Sequence, residues 1–503
     1  MSSQFLSFSK RPSVNGLLLF EVTEDLLKEV TAGGTLVLRG QAGTDAVVCT
    51  DSTTYQLREI QNSNTCMLLP PSSADNSTPS DQENPRIIKG LVNCHYDITK
   101  IFPRLHQLKS LLYTSPFTHS HDRVLLQLYQ YKNDVYNRIT SASPNDFSSG
   151  LSINVPIGNE DGKRLHHETA LNPTTSGLKV NSNTLPHVSG YSLEELSQIV
   201  QSSSRELHKG LIELAAISIE GLLCVVDPPH MDTVHDALVD IIGAERWGVQ
   251  VDVQQVIQEL LADGVCSPVV AAAAIVLAAT PAVREQMTNC LNIYRESLRR
   301  GVSISRAFEK ALENSGSPIE VANLEKFLGP DVHTQLFAFL PAKVELSVAF
   351  FAQFKAKQIL RQQSDNTMLL SEFLSQWNTL LPPSLKPEPS HLSGVALVED
   401  PLYNPIRGYK ANTSATDLLK WEARSKQATV TLFDMDTLSQ EAPTRFDELF
   451  TFRTQWTVPA IRPYVERFTG PGLSLDQLLL KYARAIKVGP GAAEQQTTVY
   501  TWK

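Results

Sequence analysis

At 503 residues the chain is longer than one hydrophobic core normally organises, so two to four domains are expected. A net charge of −9 argues against nucleic-acid binding over the whole surface. The stretch from Ala442 to Lys503 reverses the sign locally, with eight Lys or Arg against five Asp or Glu. Six cysteines without a C-x-x-C pair argue against a zinc framework and for buried, reduced thiols.

From the N-terminus, Met1 to Arg11 has no apolar signal core, and Leu17 to Val22 reads as a strand. Thr23 is placed to cap a helix running through Val30, and Gly33-Gly34 turns the chain into a strand at Thr35 to Arg39. Short strands follow at Ala46 to Thr50, Tyr55 to Ile60 and Thr65 to Leu69. Five such strands predict a small, partly open β-barrel-like domain over residues 1–70, with little core of its own and with edges that suit pairing with another chain.

Residues 71–190 read as one helix and a Ser/Thr/Pro-rich linker. The polar run Pro70 to Pro85 is expected to be disordered. The helix after it carries Pro103 in its first turn and Leu105, Leu108, Leu111 and Leu112 on one face. Helical periodicity returns briefly from Arg123 to Ile139. Ser192 and Glu195 then form a capping box, Arg205 to Ile217 gives a second helix, and Ile219 to Val226 a strand, which predicts a winged-helix-like domain over 191–265. Val269 to Ala279, the longest apolar run, is too short for a membrane span and reads as a buried helix. A helical region and second winged-helix-like domain are expected over 266–435, from helices at Val344 to Leu360 and Met368 to Leu381 and strands at Gly394 to Val398 and Ala428 to Phe433.

The segment 442–503 predicts a C-terminal winged-helix domain. Phe446, Leu449, Phe450 and Arg453 share a helical face, Pro459 to Phe468 gives a second helix, and Ser474 with Gln477 caps a third after the Gly470-Pro471-Gly472 turn. On that third helix, Leu475, Leu478, Leu479, Tyr482 and Ile486 fall on one side and Lys481, Arg484 and Lys487 on the other. A turn at Val488 to Gly491 and a strand at Thr497 to Trp502 complete a wing. The fold class is therefore α+β: an N-terminal β-barrel-like domain, a helical middle region and tandem winged-helix domains.

The chemistry of an enzyme is missing from the pattern. No G-x-x-x-x-G-K-[ST] loop can cradle nucleotide phosphates, no G-x-S-x-G elbow is present, and neither a cofactor nor a metal is expected. The His pairs His119/His121 and His166/His167, the latter followed by Glu168, fall in the linker and read as flexible polar sequence. Gln335 to Phe339 and Phe350-Phe351 lack the spacing of clamp-binding peptides and read as core aromatics. The cations Lys481, Arg484 and Lys487 are candidate phosphate contacts, with little sequence reading, because the third helix of such a domain is commonly the one presented to DNA.

Arg445-Phe446-Asp447-Glu448-Leu449-Phe450, Arg453-Thr454-Gln455-Trp456, Ile461-Arg462-Pro463-Tyr464-Val465 and Leu478-Leu479-Leu480-Lys481-Tyr482 together resemble the C-terminal signature of the Dcc family of sister chromatid cohesion proteins. Gly394 to Val398 and Gly33 to Gly40 fit the same family in the same order, while residues 113–190, 267–330 and 403–427 look like insertions. The resemblance implies a non-catalytic accessory subunit of an alternative, replication-factor-C-like clamp loader. It implies nuclear residence and partners that include the loader's large and small accessory subunits and the catalytic subunit of DNA polymerase epsilon. It further implies contact with single- or double-stranded DNA without sequence preference and with the sliding clamp PCNA only indirectly, and no membrane is expected. It also implies that Leu17 to Leu69 contribute to a β-barrel shared with partner subunits, with Leu17, Leu19, Leu36, Leu38 and Val47 as interface candidates. The rival reading from the residues alone is a winged-helix transcription regulator, against which stand the acidic balance and the lack of a base-reading recognition helix.

Overall fold

The computed structural model describes residues 6–13, 18–40, 43–69, 86–141, 188–313, 336–399, 426–469, 473–488 and 497–503, with four strands of two or three residues between 152 and 170. The run Pro70 to Pro85, the Gly470 to Gly472 turn, Leu17, Gln335, His166 and His167 lie outside the described residues. The chain is α+β and gathers into two compact units, one of residues 1–107, 194–207 and 465–481, the other of residues 108–193, 208–464 and 482–503.

The first unit is built on a six-stranded sheet. Its strands are β1 (Leu6–Ser13), β2 (Phe20–Glu21), β3 (Val37–Arg39), β4 (Val47–Cys49), β5 (Thr54–Leu68) and β6 (Arg86–Lys100), with helix α1 (Glu24–Thr31) between β2 and β3. The order is β1-β6-β5-β4-β3, with β2 also paired to β6. The sheet is open and does not close into a barrel by itself; the expectation was a partly open, barrel-like domain. Closure needs tilted strands long enough for the two edges to meet, and β3 and β4 have three residues each. Strand β6, which pairs with β1, β2 and β5, was not expected. Its alternation of buried Ile88, Val92 and Ile98 is a period-two pattern hidden behind a polar run. Where two short strands were expected, β5 runs unbroken, with an irregularity in its register between Gln61 and Cys66.

Helix α1 forms as its sequence dictates. The Thr23 hydroxyl accepts from Leu26 N at 3.4 Å, and Glu24 and Asp25 sit at the positive end of the helix dipole. Leu26 then packs on Val48, Tyr55 and Ile98 of the sheet. The segment 194–207 is tied to the same sheet by hydrogen bonds. Ser203 and Glu206 cap each other's backbone reciprocally, at 3.2 and 3.0 Å. The Thr54 hydroxyl completes this cap by donating to the Glu206 carboxylate at 2.5 Å and accepting from Ser203 N at 2.8 Å. Arg39 donates to the Ser197 carbonyl, and Gln201 Nε2 donates to Asp45 O at 2.9 Å.

The second unit contains most of α2 (His106–Tyr113) and all of α3 (His119–Ser141), which begins earlier than the periodicity suggested. After α4 (Leu193–Ile199) and α5 (Ser204–Glu213) comes a hairpin of β7 (Ile217–Ile219) and β8 (Leu222–Cys224), not the single strand expected. Glu220 and Gly221 both have positive φ, 51° and 83°, the geometry of a two-residue type I′ turn.

From α6 onward one order recurs: helix, strand, helix, helix, strand, strand, with the last strand between the other two. In the first round these are α6 (Pro228–Ala244), β9 (Gln250–Asp252), α7 (Val253–Ala262) and α8 (Pro268–Ala278), a bridge from Ala279 to Leu346, and, after α9 (Pro281–Arg299) and α10 (Ile304–Glu313), β10 (Lys343–Glu345) on β9. In the second, α11 (Val348–Arg361), β11 (Thr367–Leu369) and α12 (Leu370–Thr379) are followed by two 3₁₀ turns, then β12 (Ala396–Glu399) and β13 (Thr429–Leu432), ordered β11-β13-β12. In the third, α13 (Ala442–Phe452), β14 (Gln455–Thr457), α14 (Val458–Val465), α15 (Leu475–Tyr482), β15 (Ala483–Val488) and β16 (Thr497–Trp502) give β14-β16-β15. Prolines at N1 or N2 start α6, α8, α9 and α13. The apolar run at 269–279 is the buried helix α8, and no helix among the described residues is long and apolar enough to cross a membrane. None of the six cysteines forms a disulfide, and four of them are buried.

Candidate functional site

The residues that carried the C-terminal signature are packing residues. Phe446, Leu449, Trp456, Ile461, Tyr464 and Val465 are all buried. Trp456 Nε1 donates to the carbonyls of Leu449 and Arg453 at 3.1 and 2.9 Å, so its indole ties the end of α13 to β14. The Tyr464 hydroxyl donates to Phe433 O at 3.1 Å, and burial raises its pKa. Arg445 is buried and donates to the Met435 carbonyl. Function must be sought on other side chains.

The three candidate phosphate contacts do not form one helical face. Helix α15 ends at Tyr482, capped at its start by Ser474 and Gln477 as expected, and Ala483 to Val488 is strand β15. Lys481 therefore stands in the last turn of a helix, whereas Arg484 and Lys487 lie opposite Thr501 and Thr498 of β16. An odd spacing on a strand puts Arg484 and Lys487 on opposite faces of the sheet. The apolar positions 478, 479, 482 and 486 fit a helical wheel, but Ile486 and Val488 facing the β-branched Thr497 to Val499 are strand formers, and pairing wins. All three cations are exposed, as is Ile486, which the wheel had placed inside.

The N-terminal sheet is the stronger candidate surface. Leu17 is outside the described residues. Leu19 is half-buried, and its carbonyl accepts from Tyr96 N at 2.8 Å. Val47 is fully buried and has no surface to offer a partner, because β4 is covered on both faces. Leu36 and Leu38 are different: they are 42% and 64% exposed on and beside edge strand β3. Leu38 is in register with Val48, so it prolongs the face that holds the Leu26, Val48, Tyr55 and Ile98 core out to the last strand of the sheet among the described residues. Leu27 and Val30 of α1 are exposed as well. Among the described residues β3 pairs only with β4, and an edge strand flanked by apolar side chains is a pairing template for another chain. Among the described residues no group of three or more His, Cys, Asp or Glu could hold a metal ion.

A family model described as "Sister chromatid cohesion protein Dcc1" matches residues 17–465. The chain belongs to the Dcc1 family. Sister chromatid cohesion protein DCC1 of Xenopus laevis is 22% identical over 485 residues, covering 95% of this chain and 89% of the frog protein. The probable sister chromatid cohesion protein DCC1 of Dictyostelium discoideum is 20% identical over 492 residues, 97% of this chain and 96% of its own. That of Saccharomyces cerevisiae is 29% identical over 145 residues, 29% of this chain and 32% of the yeast protein. Family membership gives this chain a role in sister chromatid cohesion. The Dcc1 match covers β2 to β6 of the N-terminal sheet and the first two repeats but stops at Val465, before Lys481, Arg484 and Lys487.

Proposed function

We propose that this chain is a non-catalytic accessory subunit of the cohesion-linked, replication-factor-C-like clamp loader, working in the nucleus during DNA replication. The open N-terminal sheet carries the reading. A strand edge with exposed Leu36 and Leu38 is a surface for strand addition by another chain. The large and small accessory subunits of the loader are the chains that add there. The three recurring rounds are tandem winged-helix domains, since helix, strand, helix, helix, strand, strand with the last strand central is their layout. The C-terminal one touches DNA through phosphates, using Lys481 or the wing cations Arg484 and Lys487 without reading sequence. The catalytic subunit of DNA polymerase epsilon is a further partner, and PCNA is acted on through the loader.

Affinity purification of the tagged chain followed by mass spectrometry tests this. Clamp-loader subunits should be recovered with the wild type and lost with Leu38→Asp. Recovery of an isolated DNA-bound dimer instead would make the chain a transcription regulator and end the proposal.

A further inference from the structure

His119, which the sequence placed in a linker, is the first residue of α3, and the fold brings it to a histidine 111 positions away. Phe117 N donates to Val225 O at 2.7 Å and Asp227 N to Phe117 O at 2.9 Å, a bridge that sets the start of α3 beside the start of α6. There His119 Nδ1 lies 3.3 Å from His230 Nδ1. His230 is buried, and its other nitrogen, Nε2, donates to Asp122 Oδ2 at 2.8 Å. Asp122 is buried in turn and accepts from Ser267 N at 3.2 Å on both oxygens. The carboxylate thus fixes the His230 ring and its tautomer and leaves the Nδ1 lone pair facing His119, which is exposed.

We propose that His119 and His230 chelate one divalent transition ion, zinc being the reference case, with Asp122 as the outer carboxylate and water in the open positions. Carboxylate, histidine and metal in series is the usual support of an imidazole ligand. Two nitrogens bound to one tetrahedral zinc at about 2.05 Å stand about 3.3 Å apart, with ring centres about 5 Å apart. Two rings meeting head-on in a hydrogen bond of the same length would have centres about 5.6 Å apart. The observed separation is 4.8 Å with the rings at 66°, so the rings meet at an angle and not head-on, with the two nitrogens at the spacing one zinc ion requires. With two protein ligands the site falls below the three needed for a closed centre. It is a solvent-open site at the surface of the second unit, and imidazole donors suit zinc, copper or nickel over magnesium or calcium.

The test is titration of the full chain with zinc chloride at pH 7.5 by isothermal calorimetry, the fold of each variant being checked by circular dichroism. Wild type should show one site in the micromolar range. His119→Ala, a surface change, should weaken it at least tenfold. Asp122→Asn should weaken it by about 10- to 100-fold if the protein stays folded, the range seen for outer-shell partners. His121→Ala should change nothing, because His121 Nδ1 already accepts from Thr118 N at 3.2 Å. Zinc uptake unaltered by His119→Ala, or no stoichiometric uptake by wild type, overturns the proposal.

Discussion

Acidification from pH 7.5 to 5.5 should cost the fold about 1.3 kcal/mol through His235 alone. This imidazole is buried on α6, donates Nε2–H to Ala274 O at 3.2 Å, and is walled by the rings of Phe350, Phe351 and Phe354. Burial pushes its pKa down to about 4, against the partial opposition of the Ala274 carbonyl and Asp236. A base whose folded pKa is depressed contributes full stability above its unfolded value of about 6.5 and loses it progressively as pH falls toward 4. At pH 5.5 the unfolded chain is about tenfold more stabilised by proton uptake, and any folded value near or below 4.5 gives the same answer. His208, also pushed down to about 4 by burial and bonded to Asn292, adds a similar loss. His235→Gln keeps a donor for Ala274 O and removes the titration. Its stability drop between the two pH values, from urea unfolding followed by tryptophan fluorescence, should be smaller than that of wild type by about 1.3 kcal/mol. Equal drops in the two proteins would refute the argument, since the intrinsic cost of the substitution cancels in the difference.

Trp456→Phe should destabilise the C-terminal region by about 1–3 kcal/mol, because the indole leaves two carbonyl acceptors behind; thermal unfolding of the full chain reads this out. Arg484→Ala and Lys487→Ala should affect duplex binding unequally. With the two side chains on opposite faces, only one should flatten the plot of log affinity against log salt by about 0.9, and equal effects would contradict the strand geometry. Leu38→Asp should change the stability of the isolated chain by no more than about 0.5 kcal/mol in urea, as expected for an exposed position, while abolishing partner association in pull-downs.

The sequence is legible wherever one residue acts on its near neighbours. Thr23, Ser474 and Gln477 cap the helices they were expected to cap, and Phe351 and the 269–279 run are core. Period-two patterns were harder. Strand β6 is masked in the sequence because its buried positions alternate with Lys89, Asn93, His95 and Asp97, and residues 483–487 satisfy a helical wheel although a partner strand claims them in the fold. The site at His119 could not be found by spacing at all. His230 and Asp122 are brought to it by a bridge at Phe117 and by packing, and nothing local marks either one.

The central position of the last strand in each repeat also sets when that repeat can close. In the first, roughly 60 residues separate the Ala279 bridge from β10; in the third, about 8 separate β15 from β16, a difference in closure entropy of about 1.8 kcal/mol. As the chain leaves the ribosome, α6, α7 and α8 can collapse early, but β9 stays without its neighbour until β10 has been made. The first repeat is thus the slowest to finish although it is the first to begin, and a chaperone or partner that binds nascent chains would find its unpaired strand there.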